Sequence, residues 1–233
     1  MVRVLSIALV VALATATARA SPFWVSWDEG WPDQQGWLEG WSIPAEKWLE
    51  DGLLFMDSRA GGGYDGYYQH PETLMPAAGE TFRLVWRARV DESWPASDPG
   101  LIVIADDHYS VDFFMDTQGI YSGYEPDKWA PFAPGVFHDF RVESTDMRAY
   151  DLYIDGSLAL EGSFSYSFFP GPQVAWGDLS SAFSLTAWDT VGYGVLPEPA
   201  ASLSIVLVFC CARSLSRSTS RRLHRNTESG DKA

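Results

Sequence analysis

Hydrophobic and polar residues alternate with a period of two through most of the middle of the chain. From Thr81 to Asp91, Phe82, Leu84, Trp86, Ala88 and Val90 share one face, and Arg83, Arg87 and Arg89 share the other. Successive side chains on a strand point to opposite faces, so this pattern predicts a half-buried strand. Leu101 to Ala105 is a compact apolar run that fits a more central strand. Tyr109, Val111 and Phe113 alternate with Ser110, Asp112 and Phe114, and Val136, Phe140 and Val142 stand opposite Asp139, Arg141 and Glu143. Tyr150, Leu152 and Ile154 lead to Asp155-Gly156, a dipeptide suited to a tight hairpin, with Leu158 to Leu160 on the return. Val174 to Trp176 and Trp188 to Tyr193 read as closing strands. Gly61-Gly62-Gly63, Ser97-Asp98-Pro99-Gly100 and Pro170-Gly171-Pro172 punctuate the strands. A single helical turn is expected near Ala45 to Glu50. Many short strands without a fixed repeat predict one all-β domain, a two-sheet antiparallel jelly-roll sandwich.

Two apolar runs break this pattern, one at each end. Met1-Val2-Arg3, the run Val4 to Leu13 and Ala18-Arg19-Ala20 have the order of a secretory signal, with cleavage expected before Ser21. Ala200 to Ala212 is shorter than the ~20 residues of a full membrane span. It is followed by Arg213, Arg217, Arg221, Arg222 and Arg225 in a Ser-rich tail. Such a basic cluster stays in the cytoplasm, which leaves the preceding chain outside. The expected organisation is a signal at 1–20, a sandwich at 21–195, a membrane-directed segment with a short hydrophobic helix at 196–225, and a tail at 226–233.

The C-terminal order is Pro197-Glu198-Pro199, a short hydrophobic run, and the arginines Arg213, Arg217, Arg221 and Arg222. It resembles the PEP-CTERM sorting signal of bacterial exosortase substrates. The resemblance covers about the last thirty residues and departs from the pattern at Cys210-Cys211 and in the length of the tail. It implies recognition by an exosortase-like membrane sorting protease and an exported destination at the cell surface or in extracellular polysaccharide, with transient membrane anchoring.

Charge narrows the classes of partner. The chain carries 16 Lys and Arg against 31 Asp and Glu, a formal net charge of −15. All of the acidic excess falls between Ser21 and Val195, since both ends of the chain are net positive. A domain of that charge repels nucleic acid and anionic membrane surfaces. The same carboxylates could serve divalent cations or only solubility, and composition leaves both open. Both cysteines, Cys210 and Cys211, lie in the tail, so the exported domain is expected to rely on packing rather than disulfides.

Gly135 to Val142 (GVFHDFRV) and Tyr150 to Gly156 (YDLYIDG) form a second recognisable run. It is similar to the strands of concanavalin A-like, or laminin-G-like, sandwiches, and the similarity extends over Phe82 to Tyr193. It implies fold more than function. Laminarinase-type hydrolases of that fold carry Glu-x-Asp-x-Glu on one strand, which places two carboxyl groups on one face for a retaining mechanism. No such motif occurs here. Asp112 and Asp116 have the wrong spacing, and Asp106-Asp107 point to opposite faces as an exposed pair. The exported segment also lacks a Gly-x-Ser-x-Gly elbow and zinc-ligand spacing, and His138 reads as a structural histidine. Calcium is the one cofactor the resemblance suggests, with Asp178 and Asp189 as ligands by position; solvated turn residues are the alternative reading.

Aromatic residues complete the candidates. Trp24, Trp27, Trp31, Trp37, Trp41 and Trp48 crowd the N-terminal stretch, with Tyr64, Tyr67 and Tyr68 close behind. Exposed rings of this kind stack on sugars, while buried ones build a core. Trp129, in the loop Glu125 to Trp129, is the ring expected at the surface. The sequence thus leads to a non-catalytic sandwich binding extracellular polysaccharide or serving as a matrix component. A diverged glycoside hydrolase or other carbohydrate-active enzyme is the alternative.

Overall fold

The computed structural model describes residues 23–26, 30–43, 46–59, 64–93, 100–178 and 184–197. The expected secretory signal and the segment from Glu198 onward, including Pro199, Arg213, Arg217, Arg221 and Arg222, lie outside the described residues. Among the described residues no helix is long and apolar enough to cross a membrane.

Sixteen strands and one 3-10 turn, Pro32–Gln35, make up the described structure. In chain order the strands are β1 (Phe23–Ser26), β2 (Leu38–Ile43), β3 (Glu46–Glu50), β4 (Leu53–Asp57), β5 (Tyr64–Gln69), β6 (Glu80–Ser93), β7 (Gly100–Ala105), β8 (Tyr109–Met115), β9 (Gly119–Ser122), β10 (Trp129–Pro131), β11 (His138–Ser144), β12 (Ala149–Ile154), β13 (Ser157–Ser163), β14 (Ser165–Tyr166), β15 (Gln173–Asp178) and β16 (Ser184–Pro197). They form two eight-stranded sheets. The first runs β13-β12-β11-β6-β16-β4-β3, with β1 also on β16; the second runs β10-β9-β8-β7-β15-β5-β2, with β14 on β8. The pairings are antiparallel. Neighbours in each sheet come from distant parts of the chain, as in β7 beside β15, so the jelly-roll sandwich closes through long-range contacts.

The predicted alternation is what holds the sheets together. Along β6, Phe82, Leu84, Trp86, Ala88 and Val90 are buried while the arginines between them are half-exposed. Four tryptophans, Trp37, Trp86, Trp176 and Trp188, are fully buried between the sheets. Their rings meet edge-on or tilted: Trp37 against Trp176 at 5.7 Å and Trp176 against Trp188 at 5.2 Å. Trp86 stacks on Phe140 at 5.1 Å and sends its Nε1–H to Met115 Sδ of the other sheet, 3.3 Å away. Each such ring pair adds about 0.5–1.5 kcal/mol beyond the area it buries. Without a disulfide in reach, large rings supply the cohesion.

The Asp155-Gly156 hairpin between β12 and β13 forms as expected, both residues having positive φ (50° and 80°), as a tight two-residue turn requires. Four expectations change. Glu46–Glu50 is not a helical turn but the edge strand β3, because its pairing with β4 supplies backbone partners that five residues of isolated helix would lack. Val136 is 51% exposed, since the chain enters the sheet only at His138. Asp106 and Asp107 are not an exposed pair. Asp106 is buried, its Oδ1 accepting the N–H groups of His108 and Tyr109 at 2.6 and 2.5 Å, which shapes the β7–β8 turn. The last strand also continues past Val195 to Pro197, where a missing N–H is tolerated at a strand end.

Candidate functional site

The two outer faces of the sandwich differ in chemistry. On the first sheet the polar positions of β6 and β11 form a ladder of ion pairs. Arg83 meets Glu143 at 2.6 Å, Arg87 meets Asp139 at 3.1 Å and Asp189 at 3.0 Å, and Arg89 meets Asp91 at 2.7 Å. Arg141 lies over the Tyr153 ring at 4.2 Å, and Arg89 lies over Phe137 at 4.9 Å. These cations are already matched by carboxylates and rings. Arg59, bonded to Asp57 and Glu92 at 2.6 and 2.8 Å, extends the same network.

On the second sheet the register aligns a row of side chains across the strands. Trp129 of β10 sits opposite Tyr121 of β9, Tyr121 opposite Phe114 of β8, and Phe114 opposite Leu101 of β7. The row continues as Gly177, Gly66 and Gly40 on β15, β5 and β2. Ala130, Ile120, Phe113 and Ile102, their strand neighbours, are in the core, so alternation turns the row outward. Phe114 and Tyr121 stack at 5.5 Å, 28° apart. Leu101, Val103 and Ala175 form a small apolar cluster beneath Tyr68, Phe114 and Phe169 on this face. Tyr166 and Phe168, 71% and 83% exposed, project from the neighbouring strand and loop.

Asp112 lies in the middle of these rings, opposite Val103. Burial pushes its carboxyl up to about 6, against the pull of the Tyr124 hydroxyl. Tyr124 in turn lies 3.2 Å from Ser110 Oγ. Asp112 Oδ1 is buried and has no hydrogen-bond partner among the described residues.

At the β10 edge the row ends in a shallow depression of about 310 Å³ lined by Asp116, Gln118, Gly119, Tyr121, Pro126 and Trp129. Trp129 is 55% exposed, as expected for this ring. The sequence singled out Trp129 but not Tyr121 or Phe114. The period-two pattern on β8 marked Phe114, the β9 segment holding Tyr121 carried no strand reading, and only the register between strands shows that the three rings stand side by side.

Of the N-terminal rings, Trp37 and Tyr67 are core residues, Trp31 and Tyr68 are partly buried, and Trp48 stacks on Phe55 at 5.0 Å. Nothing is described of the side chains of Trp24, Trp27, Trp41 and Tyr64.

Asp178 and Asp189 are not brought together. Asp178, on β15 of the second sheet, is 0% exposed; its Oδ2 accepts hydrogen bonds from Ser58 Oγ at 2.7 Å and from Ser184 Oγ. Asp189, on β16 of the first sheet, pairs with Arg87. The two do not fit a shared calcium site, since one is enclosed by hydroxyl donors and the other faces a guanidinium. Among the described residues no group of three or more His, Cys, Asp or Glu is placed to hold a metal ion. His138 has Asp155 Oδ2 at 2.7 Å from Nδ1 and the Ala133 carbonyl at 3.1 Å from Nε2, so both ring nitrogens are engaged.

At the opposite edge of the sandwich, Lys47 of β3 reaches across to Glu39 and to Asp65 at 2.9 Å, tying the two sheets. Burial lowers the Lys47 ammonium, but Glu39, Asp65 and Tyr67 outweigh it and hold the group above its ordinary range.

No family model and no curated protein matches the chain. Solved structures do. A carbohydrate esterase from a Shiga toxin-encoding bacteriophage aligns with 75% of this chain and 97% of its own at 12% identity, TM-score 0.55. The carbohydrate recognition domain of Emp46p in its metal-free form aligns with 73% of this chain and 94% of its own at 12% identity, TM-score 0.46. The cellulose-induced protein Cip1 aligns with 73% and 95% at 12% identity, TM-score 0.44. At these identities the likeness is one of fold.

Proposed function

We propose that this chain is an exported, surface-sorted, non-catalytic β-sandwich that binds extracellular polysaccharide on the outer face of its second sheet. The observation that carries the reading is the cross-strand row Trp129–Tyr121–Phe114, three aromatic rings held side by side by the register of β8, β9 and β10. Exposed aromatic faces bury the apolar faces of sugar rings, and nearby carboxylates and hydroxyls accept or donate to sugar hydroxyls. Asp112 and Tyr124 supply such groups beside the rings, with Tyr124 backed by the buried Ser110.

The non-catalytic half of the reading is supported by what surrounds the titratable groups. Asp178 accepts hydrogen bonds from Ser58 and Ser184, and His138 is held by Asp155 and a backbone carbonyl. The fold neighbour named as a carbohydrate esterase lends support to the carbohydrate class. Sorting rests on Pro197-Glu198-Pro199 and the arginines after the apolar run, with an exosortase-like protease as the partner and the cell surface as the destination.

A glycan array probed with the purified chain tests the binding. The expected result is a set of polysaccharide hits that Trp129→Ala weakens about tenfold, the equivalent of roughly 1.4 kcal/mol of stacking. Turnover of a polysaccharide that stops on substituting a single carboxylate would overturn the non-catalytic reading.

A further inference from the structure

The depression at the β10 edge has a composition that the rest of the aromatic face lacks. Its walls are the Trp129 and Tyr121 rings, and its polar groups are the Asp116 carboxylate and the Gln118 amide. Asp116 is positioned by the backbone: its Oδ1 accepts the N–H groups of Gln118 at 2.6 Å and Gly119 at 2.9 Å. The turn is also tied to β6, since Thr117 N–H donates to Ser93 Oγ at 2.9 Å. The carboxylate therefore stands at a fixed place without a cation beside it in that lining. Lys128, the cation of the adjoining loop, is bound to Glu125 at 2.9 Å. The arginines of β6 and β11 are engaged on the other sheet.

Two rings and a carboxylate without a matching cation form a receptor for a positive charge. A ring face attracts an ammonium through its quadrupole, and a carboxylate adds a direct ion pair. The same surroundings repel a uronate, because no free guanidinium or ammonium among the described residues of this edge would meet its carboxylate. Resting on the glycan-binding reading above, we propose that the Trp129–Asp116 depression takes an ammonium-bearing sugar, a de-N-acetylated hexosamine unit of a polysaccharide, with the sugar ring against Trp129 and the ammonium at Asp116.

Calorimetric titration of the full chain with a glucosamine hexamer, its fully N-acetylated counterpart and an oligouronate of equal length tests this. The glucosamine hexamer is expected to bind about fivefold tighter than the acetylated one at low salt, with the advantage shrinking as salt rises, and the oligouronate to bind weakest. Asp116→Asn keeps the side-chain oxygen that caps the turn and removes the charge. It should abolish the fivefold preference, so that the two hexamers bind with similar affinity. Equal affinity for the two hexamers, or a preference untouched by Asp116→Asn, overturns this proposal while leaving glycan binding standing. Failure of every glycan to bind overturns both.

Discussion

Asp112 is a carboxylate that the fold holds at a cost, and replacing it by asparagine measures that cost. Burial raises its carboxyl from the ordinary 3.8 to about 6. The folded state therefore holds its proton more tightly than the unfolded chain does, and the stability that Asp112 confers falls as pH rises from about 4 to 6. Below that window the carboxyl is neutral in both states and the cost is absent. Above it the full penalty applies, about 2–3 kcal/mol for a shift of roughly two units. Asp112→Asn removes the charge at every pH, while its new N–H groups add a pH-independent cost of about 1 kcal/mol or more if they stay unpaired. The clean quantity is thus a difference of differences. Urea unfolding of both proteins at pH 4 and pH 7.5 should show the variant gaining about 2–3 kcal/mol relative to wild type between the two. In a domain of this size that corresponds to roughly 5–10 °C in Tm. Other titrating groups are common to both proteins and cancel. A variant whose stability difference from wild type is the same at both pH values would refute the reasoning.

Three other outcomes follow from particular contacts. Lys47→Met strands Asp65, whose side chain is 5% exposed, and should cost about 3 kcal/mol in urea unfolding; adding Asp65→Leu should recover most of the loss. Gly177→Ala places a Cβ 2.5 Å from Asp65 O and Gly66 Cα at a φ of 142°, so a loss of about 2–3 kcal/mol is expected by the same measurement. Mass spectrometry of the exported chain should find an N-terminus at Ser21 and no residue beyond the Pro197-Glu198-Pro199 region; an intact C-terminus would refute the sorting reading.

The sheets were legible in the sequence because period-two alternation is a local signal. Phe82 to Val90 could be placed without knowing its neighbours, and the unbroken apolar run Leu101 to Ala105 was equally local. The site was less legible because it is made by register. Trp129, Tyr121 and Phe114 are separated in sequence and become a row only when β8, β9 and β10 pair. Asp178 and Asp189 show the same limit in reverse. Their positions in the sequence offered both as calcium ligands, yet pairing sends one among serines of the interior and the other to an arginine of the first sheet. Glu46–Glu50 shows a third case, in which pairing with β4 overrides a locally plausible helical turn.

The net charge of −15 looks uninformative until it is placed on the two faces. Arg83, Arg87, Arg89 and Arg141 gather on the first sheet, where Glu143, Asp139, Asp189 and Asp91 neutralise them. Exposed pairs of this kind contribute little stability each. What they do is consume cations, so the second sheet is left with rings and with carboxylates that no arginine of that ladder reaches, Asp112 and Asp116. On the proposed reading, a face built this way should discriminate before contact, slowing acidic polymers, admitting neutral ones and attracting cationic ones. Reversing the sign of one residue at its edge should therefore change selectivity more than affinity for neutral sugars. Gln118→Lys, which places an ammonium beside Asp116, should shift preference from amino-sugar to uronate oligomers while neutral oligomers bind as before. A change confined to the neutral oligomers would show that shape, not charge, governs the depression.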